Sequence, residues 1–302
     1  MADSVASPSS YGRRTAAARY RRTERNTAPW RGGHMELTFE RDGLTLRGRI
    51  DLPETPHADA GRAPDAAAAG TAPDRHPVVI LMHGFTGDMG AGPDTPYTQL
   101  TRSLTESGVA VVRFDFNGHG SSDGDFTAMN VLNELNDAIQ VLETIRERPE
   151  FTSIGLVGHS QGGVVAGMLA GLYPDIVDAL VLLAPAATLK DDAVAGTCMG
   201  VAYDPRHIPP RVDVDGHVVG GHYFRIAQAL PIYETTARFD HPALAIHGAY
   251  DAVVDAAASL RYADAMPDCT AVLYDGLDHG LYGTDREAAL SRAADFLTRH
   301  LS

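Results

Sequence analysis

Short apolar runs alternate along most of the chain with longer segments in which apolar residues recur every three or four positions. The short runs are rich in valine, isoleucine and leucine, which favours buried strands, whereas the longer spacing is typical of amphipathic helices. Strands are predicted at residues 36–40, 44–51, 78–83, 109–116, 154–158, 179–185, 243–248 and 270–276. This alternation predicts an α/β fold with a mostly parallel sheet flanked by helices.

Helical spacing and one turn sequence complete the predicted map. Valine, leucine and isoleucine recur at helical intervals over 131–145, and alanine, phenylalanine and leucine do so over 284–301. A third helix is expected to begin near Gln161, and a fourth to run through Ala256 and Tyr262. The first two strands flank the turn "RDG" and should form a hairpin.

Two segments lack any hydrophobic period. Residues 1–34 hold seven arginines and two acidic residues among serine, alanine and proline, and we predict a disordered basic tail there. A basic arm for an anionic partner, a transit-like peptide and residues upstream of a native start at Met35 are the alternatives. Residues 53–77 are rich in alanine, proline and aspartate and are predicted to form a mobile surface loop. The remaining pattern predicts one folded domain over 35–302.

Composition narrows the class of protein. A chain of 302 residues with 44% hydrophobic residues suits one large α/β domain, and a net charge of −14 repels nucleic acid and anionic membranes. The chain has no apolar run of 18 residues and no apolar core of a secretory signal, so we expect a soluble cytoplasmic protein. Cys198 and Cys269 are too few and too widely spaced for a disulfide framework or a zinc site, which predicts free thiols.

The sequence "GLVGHSQGGVV" at 155–165 places a polar interruption between an apolar strand and an apolar helix. Ser160 lies at its centre, with Gly158 and Gly162 two residues to either side. A plain glycine and serine turn fits the same three-residue pattern. The strand, turn and helix context is nevertheless that of a nucleophile elbow, in which glycines let strand and helix approach and the serine takes a strained conformation. We therefore predict that Ser160 is a catalytic nucleophile.

A serine hydroxyl needs a general base and an orienting carboxylate, in the chain order serine, acid, histidine. Asp251 directly follows the strand at 243–248 and is the favoured acid. Asp255 is the alternative, although it looks more like an N-cap of the following helix. Asp275 and Asp278 neighbour the candidate base in sequence, which rarely gives the geometry to contact its far nitrogen.

His279 is the predicted general base, because it lies on the loop after the last strand and before the final helix. His241 and His247 flank a strand, and a structural role is expected for both. His159 adjoins the nucleophile but should point away from it.

The oxyanion of an acyl-transfer reaction needs two hydrogen-bond donors. The amide of Gln161, at the positive end of the helix after the nucleophile, supplies one. The loop "HGF" after the first central strand should supply the other through the amide of Phe85, with Gly84 relieving crowding. A simple glycine turn would also explain "HGF".

The chain resembles the α/β-hydrolase superfamily over about 36–301, through "HGF", "GHSQGG" and the loops that carry Asp251 and His279. A narrower resemblance is carried by "VLNELNDAIQVLETI", "VGHSQGGVVAGMLAGLYPD", "VLLAPAATLK" and "GGHYFRIAQALPIYE". These segments are similar to the bacterial cinnamoyl (feruloyl) esterases, serine carboxylesterases that act on esters of ferulic, caffeic and p-coumaric acids. The resemblance identifies an insertion at about 187–233 as a cap over the catalytic cleft.

The resemblance also implies residues that bind the acyl group. In that family an aspartate and a tyrosine of the cap bind its phenolic hydroxyl, and they match Asp192 in "LKDDAV" and Tyr223 in "GGHYFRIAQ". Without the resemblance, these residues would look like a solvated acid and a packing aromatic. Met199 stands where the family pattern has a glutamine. A methionine packs against an aromatic ring but hydrogen-bonds poorly, so we expect an altered preference among ring substituents.

The activity implied by the resemblance is two-step acyl transfer through a hydroxycinnamoyl enzyme, without a metal or organic cofactor. The expected partner is a small phenolic ester, and a homodimer is one expected assembly because caps in this fold often support dimers. A general short-chain carboxylesterase or lipase-like enzyme is the nearer alternative. A non-catalytic scaffold that binds a small aromatic ligand is the other.

Overall fold

The computed structural model describes residues 34–53, 75–90 and 92–301. The predicted tail up to residue 33 and most of the predicted loop, 54–74, lie outside the described residues. The strands, numbered in chain order, are β1 His34–Arg41, β2 Leu44–Asp51, β3 His76–Met82, β4 Ala110–Phe114, β5 Phe151–His159, β6 Ala179–Leu183, β7 Thr197–Cys198, β8 Val201–Ala202, β9 Arg211–Val214, β10 His217–Gly220, β11 Ala243–Gly248 and β12 Cys269–Tyr274. The α-helices are α1 Pro96–Glu106, α2 Val131–Arg146, α3 Gln161–Leu172, α4 Leu189–Ala195, α5 Gly221–Ala227, α6 Ile232–Thr236, α7 Ala257–Ala265 and α8 Arg286–Leu301.

Eight strands form one sheet in the order β1-β2-β4-β3-β5-β6-β11-β12. The first two strands form the predicted antiparallel hairpin, and β2 pairs antiparallel with β4. From β4 to β12 every neighbouring pair is parallel. The prediction of a mostly parallel sheet flanked by helices is confirmed. Because the carboxyl ends of parallel strands meet at one edge, the loops after β3, β5, β11 and β12 converge there.

The core lies on both faces of the sheet. Along β3, Ile80 faces a layer that also contains residues of α2 and α3, while Leu81 faces a layer with residues of α1 and α8. Burial on both faces explains why the central strands read as continuous apolar runs. Helix α3 is apolar all round because it packs between the sheet, α2 and α6.

The start of one strand and one whole helix differ from the prediction. Strand β3 begins at His76, so the last residues of the predicted 53–77 loop belong to the sheet. Pro77 cannot donate to a strand ladder, and the pairing with β5 is irregular between His76 and Val78. Helix α1 was not predicted, because its only large buried apolar side chains are Leu100 and Leu104, too few for a visible period.

The segment predicted as a cap joins β6 to β11. It holds α4, the hairpins β7–β8 and β9–β10, and α5, and α6 follows before the chain returns to the sheet. Helix α4 packs on β7 and on α5, and β10 packs on the short 3-10 helix Phe126–Ala128. The segment therefore covers the edge of the sheet where the loops converge.

Candidate active site

Ser160 occupies a sharp turn between β5 and α3 with φ 54° and ψ −122°, a strained conformation for a residue with a side chain. The neighbouring glycines make this turn possible. A Cβ on Gly158 would lie 2.2 Å from the carbonyl oxygen of Gly162, and a Cβ on Gly162 would lie 2.3 Å from that of His83. Strand and helix therefore approach more closely than alanine would allow, and the serine side chain turns toward the converging loops.

Ser160, His279 and Asp251 form a continuous hydrogen-bonded chain. The Nε2 of His279 lies 2.9 Å from the Oγ of Ser160, and its Nδ1 lies 2.7 Å from Oδ2 of Asp251. Because a carboxylate only accepts, Nδ1 carries the hydrogen and Nε2 is left to accept the serine proton. This arrangement can activate Ser160 as a nucleophile, and a base and an acid far apart in sequence meet here as predicted.

The alternative acids are engaged elsewhere. Oδ1 of Asp255 accepts from the amide of Ala257, the first residue of α7. Ala256 occupies the N-cap position of α7, so Asp255 caps the helix from the residue before the N-cap. Asp278 accepts from the amide of Tyr282 within its own turn.

The Asp251 carboxylate is fully buried and accepts four N–H groups. Burial by itself raises the pKa of a carboxyl group, but hydrogen bonds from His247, His279 and the amides of Val254 and Val253 outweigh it and hold the pKa of Asp251 far below its ordinary value. Asp251 is therefore ionised at neutral pH. His247 was expected to have only a structural role, and its contact with Asp251 was missed.

Both predicted oxyanion donors adjoin the nucleophile. Gly84 is pressed against Ser160, because a Cβ there would lie 2.8 Å from the Cβ of Ser160, and Phe85 follows directly. Gln161 is the first residue of α3, and the first amides of a helix have no partner within the helix. The amides of Phe85 and Gln161 are the groups available to bind an oxyanion beside Ser160.

His83 supports this loop and was not predicted. Its Nδ1 lies 2.8 Å from the carbonyl oxygen of Gly84, and its Nε2 accepts from the amide of Phe116. Burial, together with the nearby His119, lowers the pKa of His83 from 6.5 to about 3, so the ring is neutral. The bond to Gly84 fixes the peptide whose N–H belongs to Phe85. The one sequence feature that could have indicated this role is the histidine that begins "HGF".

His159 also contacts the site, although it does not serve as the base. Its Nε2 lies 2.7 Å from the carbonyl oxygen of His279, and its Nδ1 lies 2.7 Å from the hydroxyl of Tyr97 on α1. His159 was expected only to point away from Ser160, so its contact with the carbonyl oxygen of His279 was not predicted. Burial and the neighbouring His279 lower the pKa of His159 to about 4, so a neutral ring holds the loop of the base in place.

A cavity of about 320 Å³ opens over Ser160 and His279. Its walls come from the loop after β3, from α4, from the β7–β8 hairpin and from α5. The wall is mostly apolar, with contributions from Phe85, Leu189, Ala193, Phe224 and Val254. The three predicted acyl-binding residues, Asp192, Met199 and Tyr223, all line the same cavity. This volume is at the small end of sites that take a whole small molecule.

Asp192 is a half-buried carboxylate in this apolar wall. Burial raises its pKa, while a hydrogen bond from Thr188 opposes the rise. No ion pair to Asp192 is found within the described part of the chain, whereas the adjacent Asp191 is exposed and pairs with Arg261 at 3.0 Å. Asp192 can therefore accept a hydrogen bond from a ligand in the cavity.

Tyr223 is buried, and its hydroxyl donates to Oε1 of Gln161 at 2.7 Å. The Nε2 of Gln161 donates in turn to Oε2 of Glu134. Glu134 is buried, and burial raises its pKa to about 8, which favours the protonated form. This buried network, which was not predicted, joins the cap to the first residue of α3 and leaves the Tyr223 oxygen able to accept from a ligand.

Met199 lies at the rim of the cavity and is half exposed. It occupies the turn of the β7–β8 hairpin with φ 47°, a left-handed conformation that is uncommon for a residue with a side chain. Gly200 follows with φ 80°, so the two residues form the turn together.

The remaining observations concern groups outside the triad. Cys198 and Cys269 are half-buried free thiols, as expected. Within 34–53, 75–90 and 92–301, no group of three or more histidine, cysteine or acidic side chains could hold a metal ion. Over the same described residues, none of the helices has the length and apolarity to cross a membrane.

The chain is similar to known proteins in sequence and in structure. A family model described as serine aminopeptidase, S33 (Hydrolase_4) matches residues 73–217. An uncharacterized protein of Mycobacterium tuberculosis is 30% identical over 155 residues, which are 48% of this chain and 42% of that protein. The mitochondrial palmitoyl-protein thioesterase ABHD10 of Mus musculus is 27% identical over 225 residues, 67% of this chain and 69% of that protein. The chain thus spans less than half the length of the mycobacterial relative.

Among solved structures, Est1E from Butyrivibrio proteoclasticus with ferulic acid bound is similar over nearly its whole length. The TM-score is 0.77 at 29% sequence identity, and the match covers 87% of this chain and 98% of Est1E. The predicted fold class therefore agrees with both the sheet topology and a solved neighbour.

Proposed function

We propose that the chain is an α/β-hydrolase, and specifically a serine carboxylesterase that hydrolyses esters of hydroxycinnamic acids. The observation that carries the proposal is the cavity above Ser160, which has a mostly apolar wall and, within it, the carboxylate of Asp192 without an ion pair. A flat phenolic acyl group needs these two features, an apolar slot and a hydrogen-bond acceptor for its hydroxyl. The similarity to Est1E, solved with ferulic acid bound, supports the same assignment.

The geometry supports acyl transfer in two steps. His279 takes the proton of Ser160 as the serine oxygen attacks the ester carbonyl, and the Asp251 carboxylate stabilises the imidazolium that forms. The negative charge that develops on the carbonyl oxygen is bound by the amides of Phe85 and Gln161. His279 then gives its proton to the departing alcohol, which leaves an acyl enzyme on Ser160. Water, deprotonated by the same histidine, releases the acid and restores the serine.

Asp192, Tyr223 and Met199 are assigned to acyl recognition. Asp192 and the Tyr223 oxygen both act as acceptors, because the carboxylate has no proton to give when ionised and the tyrosine hydrogen is held by Gln161. A ring hydroxyl, which can donate, is therefore favoured over an unsubstituted ring. Met199 contributes only an apolar contact at the rim.

A general short-chain carboxylesterase is the second candidate. The mostly apolar wall of the cavity favours it, because any small apolar acyl group could occupy that space. The two functions differ in what Asp192 contributes. In a general esterase Asp192 would be a solvated side chain at the cavity edge, without effect on acyl preference.

The test compares Asp192→Asn with Asp191→Asn, because the two aspartates are adjacent and only Asp192 lines the cavity. Asp192→Asn should lower kcat/KM for methyl p-coumarate by roughly tenfold or more, the effect of losing one charged acceptor, and leave methyl butyrate within about twofold. Asp191→Asn should leave both substrates close to wild type. Equal losses on the two esters in Asp192→Asn would contradict the proposal and favour the general carboxylesterase.

A further inference from the structure

His247 is a fully buried histidine near the end of β11, four residues before the acid of the triad. Its Nε2 lies 3.1 Å from Oδ2 of Asp251 and 3.1 Å from the carbonyl oxygen of Val254. Its Nδ1 lies 2.8 Å from the hydroxyl of Ser259 on α7. Every polar atom of the ring therefore has a partner within the protein.

The partners fix which nitrogen carries the hydrogen. Nε2 faces a carboxylate oxygen and a carbonyl oxygen, which can only accept, so Nε2 must be protonated. Nδ1 then accepts from the Ser259 hydroxyl when the ring is neutral. His247 thus presents a fixed N–H to Asp251, and Ser259 holds the ring in that tautomer.

Two imidazole rings share one carboxylate oxygen. Oδ2 of Asp251 accepts from His279 at 2.7 Å and from His247 at 3.1 Å, whereas Oδ1 accepts from the amides of Val253 and Val254. Each N–H that binds a carboxylate draws negative charge toward itself. A second donor on the same oxygen therefore weakens the pull of Asp251 on the proton of His279 and limits rotation of the carboxylate.

We propose that His247 is a positioning residue for catalysis. It orients the Asp251 carboxylate and withdraws part of its negative charge. As a result, His279 stays unprotonated at lower pH and can accept the Ser160 proton. The inference rests on the proposed role of Ser160, His279 and Asp251, but not on the class of ester. The downward shift of the Asp251 pKa, to which the His247 bond contributes, agrees with it.

The other ionisable groups around His279 are few in the described residues. His159 packs against its ring, with centroids 5.3 Å apart, and donates to its carbonyl oxygen. Asp278 precedes it in sequence and bonds to the amide of Tyr282. Neither contacts the Asp251 carboxylate, so a change confined to His247 reaches His279 through Asp251.

The test uses His247→Asn and His247→Gln as a matched pair. An asparagine amide reaches the place of Nδ1 and can keep the Ser259 contact, but it cannot reach Asp251, whereas the longer glutamine can place an N–H where Nε2 lies. His247→Leu combined with Ser259→Ala removes the donor without leaving the serine hydroxyl unpaired, and Ser259→Ala alone keeps the donor. Thermal unfolding first checks that each variant is folded.

The readout is the rate at which a fluorophosphonate probe labels Ser160. It is measured from about pH 4.5 to about pH 8, a range that spans the ordinary pKa of histidine. The reaction needs His279 as base but no particular ester. In His247→Asn and in the double variant, the acid limb of the labelling rate should move to higher pH by at least about half a unit. His247→Gln and Ser259→Ala should keep the wild-type limb.

If the acid limb of the labelling rate lies at the same pH in His247→Asn and His247→Gln, whether shifted from wild type or not, the inference is overturned. An unshifted acid limb in the folded double variant would also overturn it. Failure of the wild type to be labelled at Ser160 would instead overturn the proposed triad itself. The two failures are therefore distinguishable.

Discussion

Buried histidines contact the groups that the proposed mechanism uses. His83 fixes the peptide that carries the Phe85 amide, His159 holds the carbonyl of His279, and His247 contacts Asp251. A ring with one donor and one acceptor can link two backbone or side-chain groups without adding charge. The low pKa values of His83 and His159, about 3 and about 4, reflect this burial.

The same burial makes the fold sensitive to acid. His159 has a pKa of about 4 in the folded protein against an ordinary 6.5, so between these values the unfolded chain binds a proton that the folded protein does not. Its contribution to stability is complete above pH 6.5 and is lost as the pH falls toward 4, at up to about 1.4 kcal/mol per pH unit. Urea unfolding of wild type and His159→Gln from pH 7.5 to 4 measures this contribution, and the variant should lose less stability on acidification.

His241→Gln is the matched control, because His241 is a half-exposed histidine two residues before β11. Its unfolding free energy should follow the wild-type dependence on pH. If His159→Gln instead loses as much unfolding free energy as wild type between pH 6.5 and 4, His159 does not stay neutral in the folded protein over that range.

At the residue scale, the side chains proposed to take part in catalysis could be predicted from the sequence more fully than those that support them. Ser160, Asp251 and His279 each stand at a predictable place, in the turn or loop that follows a strand, and the structure brings them within hydrogen-bonding distance. The roles of His83 and His159 depend on which carbonyl lies opposite each ring, and the partner of His159 is 120 positions away. Such a contact leaves no pattern in a single sequence.

At the scale of elements, the turn from β5 to α3 controls where the nucleophile lies. Gly162 packs against the backbone of β3, with the carbonyl oxygens of His83 and Met82 at 2.3 and 2.6 Å from the position of an added Cβ. A backbone atom cannot rotate aside as a side chain can. The helix therefore approaches the sheet only because residue 162 is glycine.

Gly162→Ala is expected to destabilise the protein by about 1–3 kcal/mol or more, the usual cost of overpacking a core, and to displace Ser160 from His279. Gly92→Ala is the control, because a Cβ there meets a single methyl group at 3.3 Å. Chemical denaturation gives the stability, and labelling by a fluorophosphonate probe reports the geometry of Ser160. An equal effect of the two substitutions would show that the close approach at Gly162 is not required.

Element prediction succeeded where burial was continuous and failed where it was sparse. The central strands of the sheet are buried on both faces, so their apolar runs are visible in the sequence. Helix α1 buries only a few apolar side chains among threonines and serines, and it carries Tyr97, which contacts His159. The function of that tyrosine was missed together with its helix.

At the scale of the whole molecule, the sheet brings distant loops to one edge and the segment between β6 and β11 covers them. The predicted α/β fold followed from alternation of strands and helices, which single-sequence patterns reveal. The assignment of the covering segment to acyl recognition came from resemblance alone, because Asp192, Met199 and Tyr223 belong to three separate elements of that segment. Their meeting in one cavity with Ser160 is a property of the folded chain.

The central claim is that the cavity recognises the hydroxyl of a phenolic acyl group. The most direct test is kcat/KM of the wild-type protein for methyl p-coumarate and for methyl cinnamate, which lacks only that hydroxyl, at neutral pH. A site that holds a hydroxyl leaves its acceptors unpaired when the hydroxyl is missing, so methyl p-coumarate should be preferred by at least about tenfold. Equal values would contradict the hydroxycinnamate assignment and leave a general carboxylesterase with the same triad.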